Sequence, residues 1–368
     1  MNKKINWLNE SFYSEPLSPA CRMCADGSKM VVLITGLCPA DCYYCPLSLE
    51  KIGKDRIFAD EWELSNEEDV EKLLKEARYI KATGAGITGG DPLIVWQRAK
   101  NYIKFLKKNF GQKFHVHLYT SGIKNTEHIE ELIDAGLDEI RFHPMPKNWI
   151  DMEKSPISDI IKKIVKIGCD VAIEIPAIPD MENETFSMIK WADNIGIKWI
   201  NLNELEYSET NADKLNKKGY TVKDDLSSAV KGSQETAIKI FKMCSKHNFK
   251  AGVHYCSSSF KDGIQLRNRI KRRAKNVAKD FEIITDEGTL IKGILYAKTS
   301  LYELYKSIKK EFCIGDNLIF LDKNRIEIAP WILEEIAPKL AKRGIECFIV
   351  EEYPTADRLE VERIPFPQ

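Results

Sequence analysis

Residues 30–50 read MVVLITGLCPADCYYCPLSLE. Five apolar residues, Met30 to Ile34, have about the length of a buried strand, and the run breaks at Thr35-Gly36. Three cysteines follow within eight residues: Cys38, Cys42 and Cys45. Disulfides do not explain them, because three thiols cannot all pair among themselves and loops this short strain the bridge. A metal does. In an iron–sulfur cube four irons each take one outside ligand, so three thiolates leave one corner for an exogenous group. Zinc, which also accepts four thiolates, is the alternative.

The chain has 368 residues with 55 basic against 55 acidic side chains, so no global charge argues for nucleic acid. That length suits a large α/β domain plus a smaller one. The opening MNKKINWLNESFYSEP has no apolar core for a signal peptide, and no run approaches the roughly 18 apolar residues of a membrane span. The expectation is a cytoplasmic protein with no membrane contact. Its ten cysteines then point to metal or redox chemistry rather than staples.

Outward from the cysteines, short apolar runs alternate with helix-period segments. Strands are expected at Val31–Gly36, Gly84–Thr88, Phe114–Thr120, Glu139–Phe142, Asp170–Ile175, Lys198–Asn203 and Phe249–His254. Helices are expected at Asn66–Ala82, Ile94–Asn109, Thr126–Ala135, Ser158–Ile167, Glu184–Ile195 and Ser233–His247. Such alternation implies crossover units and a parallel sheet, here a partial (β/α) barrel of six to seven strands. Chemistry in such folds gathers at the carboxyl ends of the strands, where the cysteines lie. After about residue 280 the pattern changes, with a hairpin turning at Asp286-Glu287-Gly288 and mixed elements beyond it. The expected organisation is an extension over 1–29, the barrel over 30–280 and a small α+β domain over 281–368.

The order C-x3-C-x2-C after a first strand, with the aromatic Tyr44 before the third cysteine, resembles the signature of the radical S-adenosylmethionine (SAM) superfamily. Gly89-Gly90-Asp91-Pro92 resembles that family's Gly-Gly-Glu-Pro turn, with Asp in place of Glu. Alone, GGDP reads as an ordinary turn. Within the superfamily the chain looks closest to archaeal proteins related to pyruvate formate-lyase activating enzymes. The resemblance implies a 4Fe-4S cluster on Cys38, Cys42 and Cys45 that reductively splits SAM, followed by hydrogen abstraction from a substrate. It also implies SAM contacts from Tyr44, from Gly89, Gly90, Asp91 and Pro92, and from Glu174 and Asn203, and a reductant such as ferredoxin or flavodoxin. Glycyl-radical activation, RNA or peptide modification, and a non-catalytic iron–sulfur or zinc scaffold all stay open.

Other features remain. Cys21 and Cys24 precede the first strand and Cys256 ends the seventh, which suggests a second iron–sulfur cluster with His254 or a substrate atom as fourth ligand, a zinc site of three cysteines and a histidine, or unligated cysteines that pack locally. His143, after strand four, is either a substrate acid or base or a loop histidine. The basic stretch Arg267 to Lys279 would suit RNA or a phosphate-bearing substrate, or simply be a solvated helix. Cys169, Cys244, Cys313 and Cys347 read as buried hydrophobes, and Trp149, Trp191, Trp199 and Trp331 as core. The polar connection Glu206–Gly232 sits where a lid would sit.

Overall fold

The apolar run at Met30 extends a strand, β1 (Lys29–Leu33), and stops where Thr35 and Gly36 turn the chain. The computed structural model describes residues 3–225, 227–298 and 300–366. Six further parallel strands follow: β2 (Gly84–Thr88), β3 (His115–Thr120), β4 (Glu139–Phe142), β5 (Asp170–Ala177), β6 (Trp199–Glu204) and β7 (Gly252–Cys256). Each pairs with its sequence neighbour, in the order β7-β6-β5-β4-β3-β2-β1, as helical crossovers require. This is the parallel, partial-barrel α/β arrangement expected from the alternation. Short antiparallel strands extend both edges: Ile57–Ala59 and Trp62–Leu64 beside β1, Phe12–Tyr13 and Ile5–Asn6 beside β7. These edge strands have two or three residues each, too few for an alternation to be read from sequence.

Strand register sets which side chains share a face. Tyr119 pairs with Arg141, Arg141 with Ala172, Glu174 with Asn201, and Asn201 with His254. Lys29, Tyr119, Arg141, Glu174, Asn201, Asn203, His254 and Cys256 therefore project from one side of the sheet. A helix lies against that side: α1 (Pro19–Asp26), started by Ser18 and Pro19 and ended by a left-handed Gly27. The Ser18 hydroxyl donates to Glu139 and accepts from Arg141, and a Cβ on Gly84 would lie 2.7 Å from the Met23 sulfur. Glycine on β2 is thus what lets α1 approach.

Residues 267–366, with the short piece Tyr79–Lys81, form a second compact unit. The expected hairpin is there, Ile284 pairing with Leu290. Its strand Leu290–Tyr296 is central to a six-stranded antiparallel sheet whose apolar core takes in Ile328, Leu333, Ile336 and Leu340. The basic stretch forms the helix Arg267–Val277, and Arg272 donates to the carbonyls of Ile80 and Lys81 inside this unit.

Several local expectations are corrected. The helix expected from Asn66 begins at Val70, because the Asp69 carboxylate accepts from the Ser65 amide and holds the preceding residues in a turn. Cys313 is exposed and Cys169 only half-buried, unlike Cys244 and Cys347. Trp331 is 44% exposed, because it lies off the buried face of the helix Pro330–Ala341, which runs through Pro330, Leu333, Ile336, Ala337 and Leu340.

Candidate functional site at the strand ends

The three-cysteine loop is a closed excursion from the end of β1. The Gly36 amide donates to Lys54 O, the Gly53 amide donates to Gly36 O, and Arg98 clamps the base through Ile34 O and Asp55. Within it the Cys45 amide donates to Cys42 O at 3.1 Å, which curls the second and third cysteines into one turn. Cys38 is exposed and the other two half-buried. Burial pushes the thiols of Cys38 and Cys42 up, Cys42 to about 11, so the bare loop holds them protonated. A bound cation reverses that order, because thiolates are the ligands. Among the described residues no three His, Cys, Asp or Glu side chains close around a single ion. A cube does not ask for that, since each thiolate takes its own iron. The donor set therefore fits a 4Fe-4S group.

The glycine turn after β2 packs directly on this loop. A Cβ on Gly89 would lie 2.1 Å from Thr35 O, and one on Gly90 2.2 Å from Leu37 O. Only glycine permits that approach. The amides of Gly90 and Asp91 donate to those same two carbonyls, both at 2.7 Å. Pro92 opens a short 3-10 helix. Asp91 is buried, and its carboxylate accepts from Leu93 N, Thr120 Oγ1, Ser121 N and Ser121 Oγ. It ties the exit of β2 to the exit of β3.

Glu174 and Asn203 meet, Asn203 Nδ2 donating to Glu174 Oε1 at 3.0 Å. The other carboxylate oxygen of Glu174 accepts from Arg141 at 2.5 Å. Burial pushes the Glu174 pKa up, but the Arg141 charge and these hydrogen bonds outweigh it and bring it down to about 2. His143 is lodged between elements: Nδ1 donates to Glu174 O and Nε2 accepts from the Tyr44 hydroxyl. Burial holds its pKa below the ordinary histidine value, in keeping with a neutral ring.

The segment 206–232 reaches the same loop. Asn211 donates to Tyr44 O, Thr210 to Cys45 O, and Lys214 pairs with Asp41. Polar as the stretch is, Leu215, Ala229 and Val230 are buried, and Val222 bridges to Val230.

The second thiol set also comes together. Cys21 and Cys24 lie on α1, and Cys256 packs in a cluster with Phe260 and Ile264 that Ala25 of the same helix joins. Polar groups face all three: Arg141 lies 3.7 Å from Cys21 Sγ, Gln265 Nε2 lies 3.3 Å from Cys256 Sγ, and the Lys29 ammonium interacts with Cys24. Burial pushes Cys21 to about 11 and Cys256 higher. Sequence reading missed Lys29, Asn201, Thr210 and Gln265. The signal for Lys29 was its even spacing from the apolar residues of β1, which puts it on a sheet face rather than in a loop.

Comparison with known proteins gives three results. Residues 32–144 match the radical SAM superfamily, and residues 288–366 match a domain of unknown function, DUF8061. A protein of Methanocaldococcus jannaschii, provisionally named a glycyl-radical enzyme activating enzyme, is 41% identical over 98% of this chain and 95% of its own. Biotin synthase of Shewanella sp. strain ANA-3 is 32% identical over 30% of each chain. Among solved structures, Streptococcus suis SuiB bound to S-adenosylmethionine aligns with a TM-score of 0.42 and 9% identity, over 62% of this chain and 50% of SuiB. That likeness is too loose to build on.

Proposed function

Because the chain belongs to the radical SAM superfamily, we propose that it cleaves SAM at a 4Fe-4S cluster on Cys38, Cys42 and Cys45 and takes a hydrogen atom from a glycine in a protein or peptide. When bound, the cluster supplies one electron that splits SAM into methionine and a 5′-deoxyadenosyl radical. The observation that carries this reading is the docking of the glycine turn on the cysteine loop through the carbonyls of Thr35 and Leu37. The glycine substrate rests on the name of the M. jannaschii relative.

The chain's own residues have separable tasks. Gly89 and Gly90 bring β2's exit against the loop and present backbone to the SAM amino group. Asp91 holds that turn, Tyr44 borders the adenosyl portion, and Glu174 with Asn203 receives the ribose and carboxylate. Segment 206–232 covers the loop and keeps water from the radical. A low-potential carrier such as ferredoxin or flavodoxin delivers the electron. Cys21, Cys24 and Cys256 are read as a second metal site, iron–sulfur ahead of zinc. The basic helix Arg267–Val277 weighs less as an RNA surface, since Arg272 is committed inside its own unit. No helix among the described residues is long and apolar enough to cross a membrane.

Anaerobic reconstitution with iron and sulfide, then dithionite and SAM, tests the first half. Formation of 5′-deoxyadenosine is expected, and its absence refutes the enzyme in favour of a scaffold. For the second half, glycine-containing peptides deuterated at the α-carbon are added. Deuterium in the 5′-deoxyadenosine supports the glycine assignment, and turnover without label from any peptide counts against it.

A further inference from the structure

His254 has an unpartnered nitrogen in the barrel interior. The ring is 4% exposed, and its Nδ1 lies 2.5 Å from Asn201 Oδ1. An amide oxygen only accepts, so Nδ1 carries the proton and Nε2 presents a bare lone pair. That lone pair has no hydrogen-bond partner and is fully buried. Leaving such a group unmet costs about 1–3 kcal/mol. A histidine whose far nitrogen is fixed by a neighbouring acceptor is the usual arrangement for a metal ligand.

Its neighbours are the second thiol set. Cys21 and His254 line one small internal cavity with Arg141 and Asn201, and Cys21 Sγ lies 3.9 Å from the same Asn201 oxygen. Cys256 is two residues on along β7, on the same face. Cys256 packs on Phe260 and Ile264, yet Gln265 donates to its sulfur, Arg141 donates to that of Cys21, and the Lys29 ammonium interacts with Cys24. Such donors suit thiolates and tune iron–sulfur clusters.

We infer that Cys21, Cys24, Cys256 and His254 are the four ligands of a second 4Fe-4S cluster, with Asn201 fixing the histidine. The inference rests on the reading of the thiol set as a metal site and takes His254, rather than a substrate atom, as its fourth ligand. Four protein ligands leave no iron open, so this cluster binds neither SAM nor substrate. It joins α1 to β7 across more than 200 residues of sequence. The cavity that Cys21 and His254 line is about 10 Å³, and neither Cys24 nor Cys256 lines it, so the four side chains must part to admit the cluster.

The test uses the full chain carrying Cys38→Ala, Cys42→Ala and Cys45→Ala, reconstituted with ferrous iron and sulfide. About four irons per chain are expected, with nitrogen hyperfine coupling in the pulsed EPR spectrum of the reduced cluster. That coupling is read with His254 in place, so it does not depend on a variant that fails to fold. Adding His254→Cys should keep the four irons and abolish the coupling. No bound iron, one zinc in its place, or iron without nitrogen coupling each overturns the assignment. Failure here with normal 5′-deoxyadenosine formation by the unaltered protein sinks the second site alone. Four irons here without SAM cleavage by the unaltered protein sinks the first reading alone.

Discussion

The hydroxyl of Tyr44 donates to Nε2 of His143 at 2.9 Å. The other ring nitrogen donates to the carbonyl of Glu174 at 2.7 Å. The residue just before Cys45 is thus anchored, through a neutral imidazole, to the middle of β5. His143→Ala removes the Tyr44 hydroxyl's acceptor, leaving it Cys42, and takes a donor from the Glu174 carbonyl, at about 1–3 kcal/mol for a buried group left unmet. The expected result is a fall of about tenfold or more in 5′-deoxyadenosine formation, with iron content at the first site largely kept. An unchanged rate would show that the link does not position the loop.

Asp91 invites a substitution towards the family's glutamate. Its carboxylate already satisfies four donors in a space sealed to solvent. One more methylene there must displace the exits of β2 and β3, and overpacking of this kind costs about 1–3 kcal/mol. Asp91→Glu should therefore lower the melting temperature and weaken SAM binding, while Asp91→Ala does both more strongly. A glutamate variant as stable as the parent would contradict this account.

The parallel sheet and the cysteine loop were legible because they rest on local signals: apolar runs, crossover spacing and ligand spacing. What sequence could not yield depends on register and on distant partners. Nothing within reach of Glu174 along the chain announces Arg141 or Asn203, and nothing near His143 announces Tyr44. The glycines of β2 and its turn show the same limit. Read locally they suggest ligand approach, whereas Gly84 makes room for Met23 and Gly89 for Thr35.

Replacing Cys38, Cys42 and Cys45 together with Ala should abolish both 5′-deoxyadenosine formation and any change that SAM causes in the EPR signal of the reduced protein. A SAM-sensitive signal surviving in that variant would place the SAM-binding iron elsewhere.

In the C-terminal unit Lys292 lies within 3.5 Å of Glu327, Glu352 and Glu282, all nearly sealed from solvent. Burial pushes the Glu327 pKa up, yet Lys292 and Lys279 outweigh it and bring it down to about 2. A carboxylate depressed on folding contributes stability that is complete above its unfolded pKa, about 4.5, and is lost as pH falls towards 2. The contribution is at most about 3 kcal/mol. Urea unfolding read by pulsed hydrogen exchange on Leu290–Tyr296 should show that decline, and Lys292→Met should destabilise this strand by about 3–5 kcal/mol at neutral pH. A pH-independent midpoint between 5 and 3 would argue against it.

Segment 206–232 grips the cysteine loop through specific hydrogen bonds. Asn211 holds Tyr44 O and Glu206 O, Thr210 holds Cys45 O, and the Leu49 amide donates to Glu209. Apart from Asn211, these bonds lie at or near the surface, where opening costs little, while buried Leu215 keeps the segment from unravelling. If the segment is a lid, it opens as a unit to admit SAM and closes over it. Hydrogen exchange across 206–225 should be faster in the protein without SAM and slow by about tenfold or more once SAM is bound to the reconstituted cluster. Asn211→Ala removes the one buried link and should raise exchange in the SAM-bound state, with more 5′-deoxyadenosine formed without label transfer from a deuterated peptide. Equal exchange with and without SAM would make the segment a fixed wall of the site.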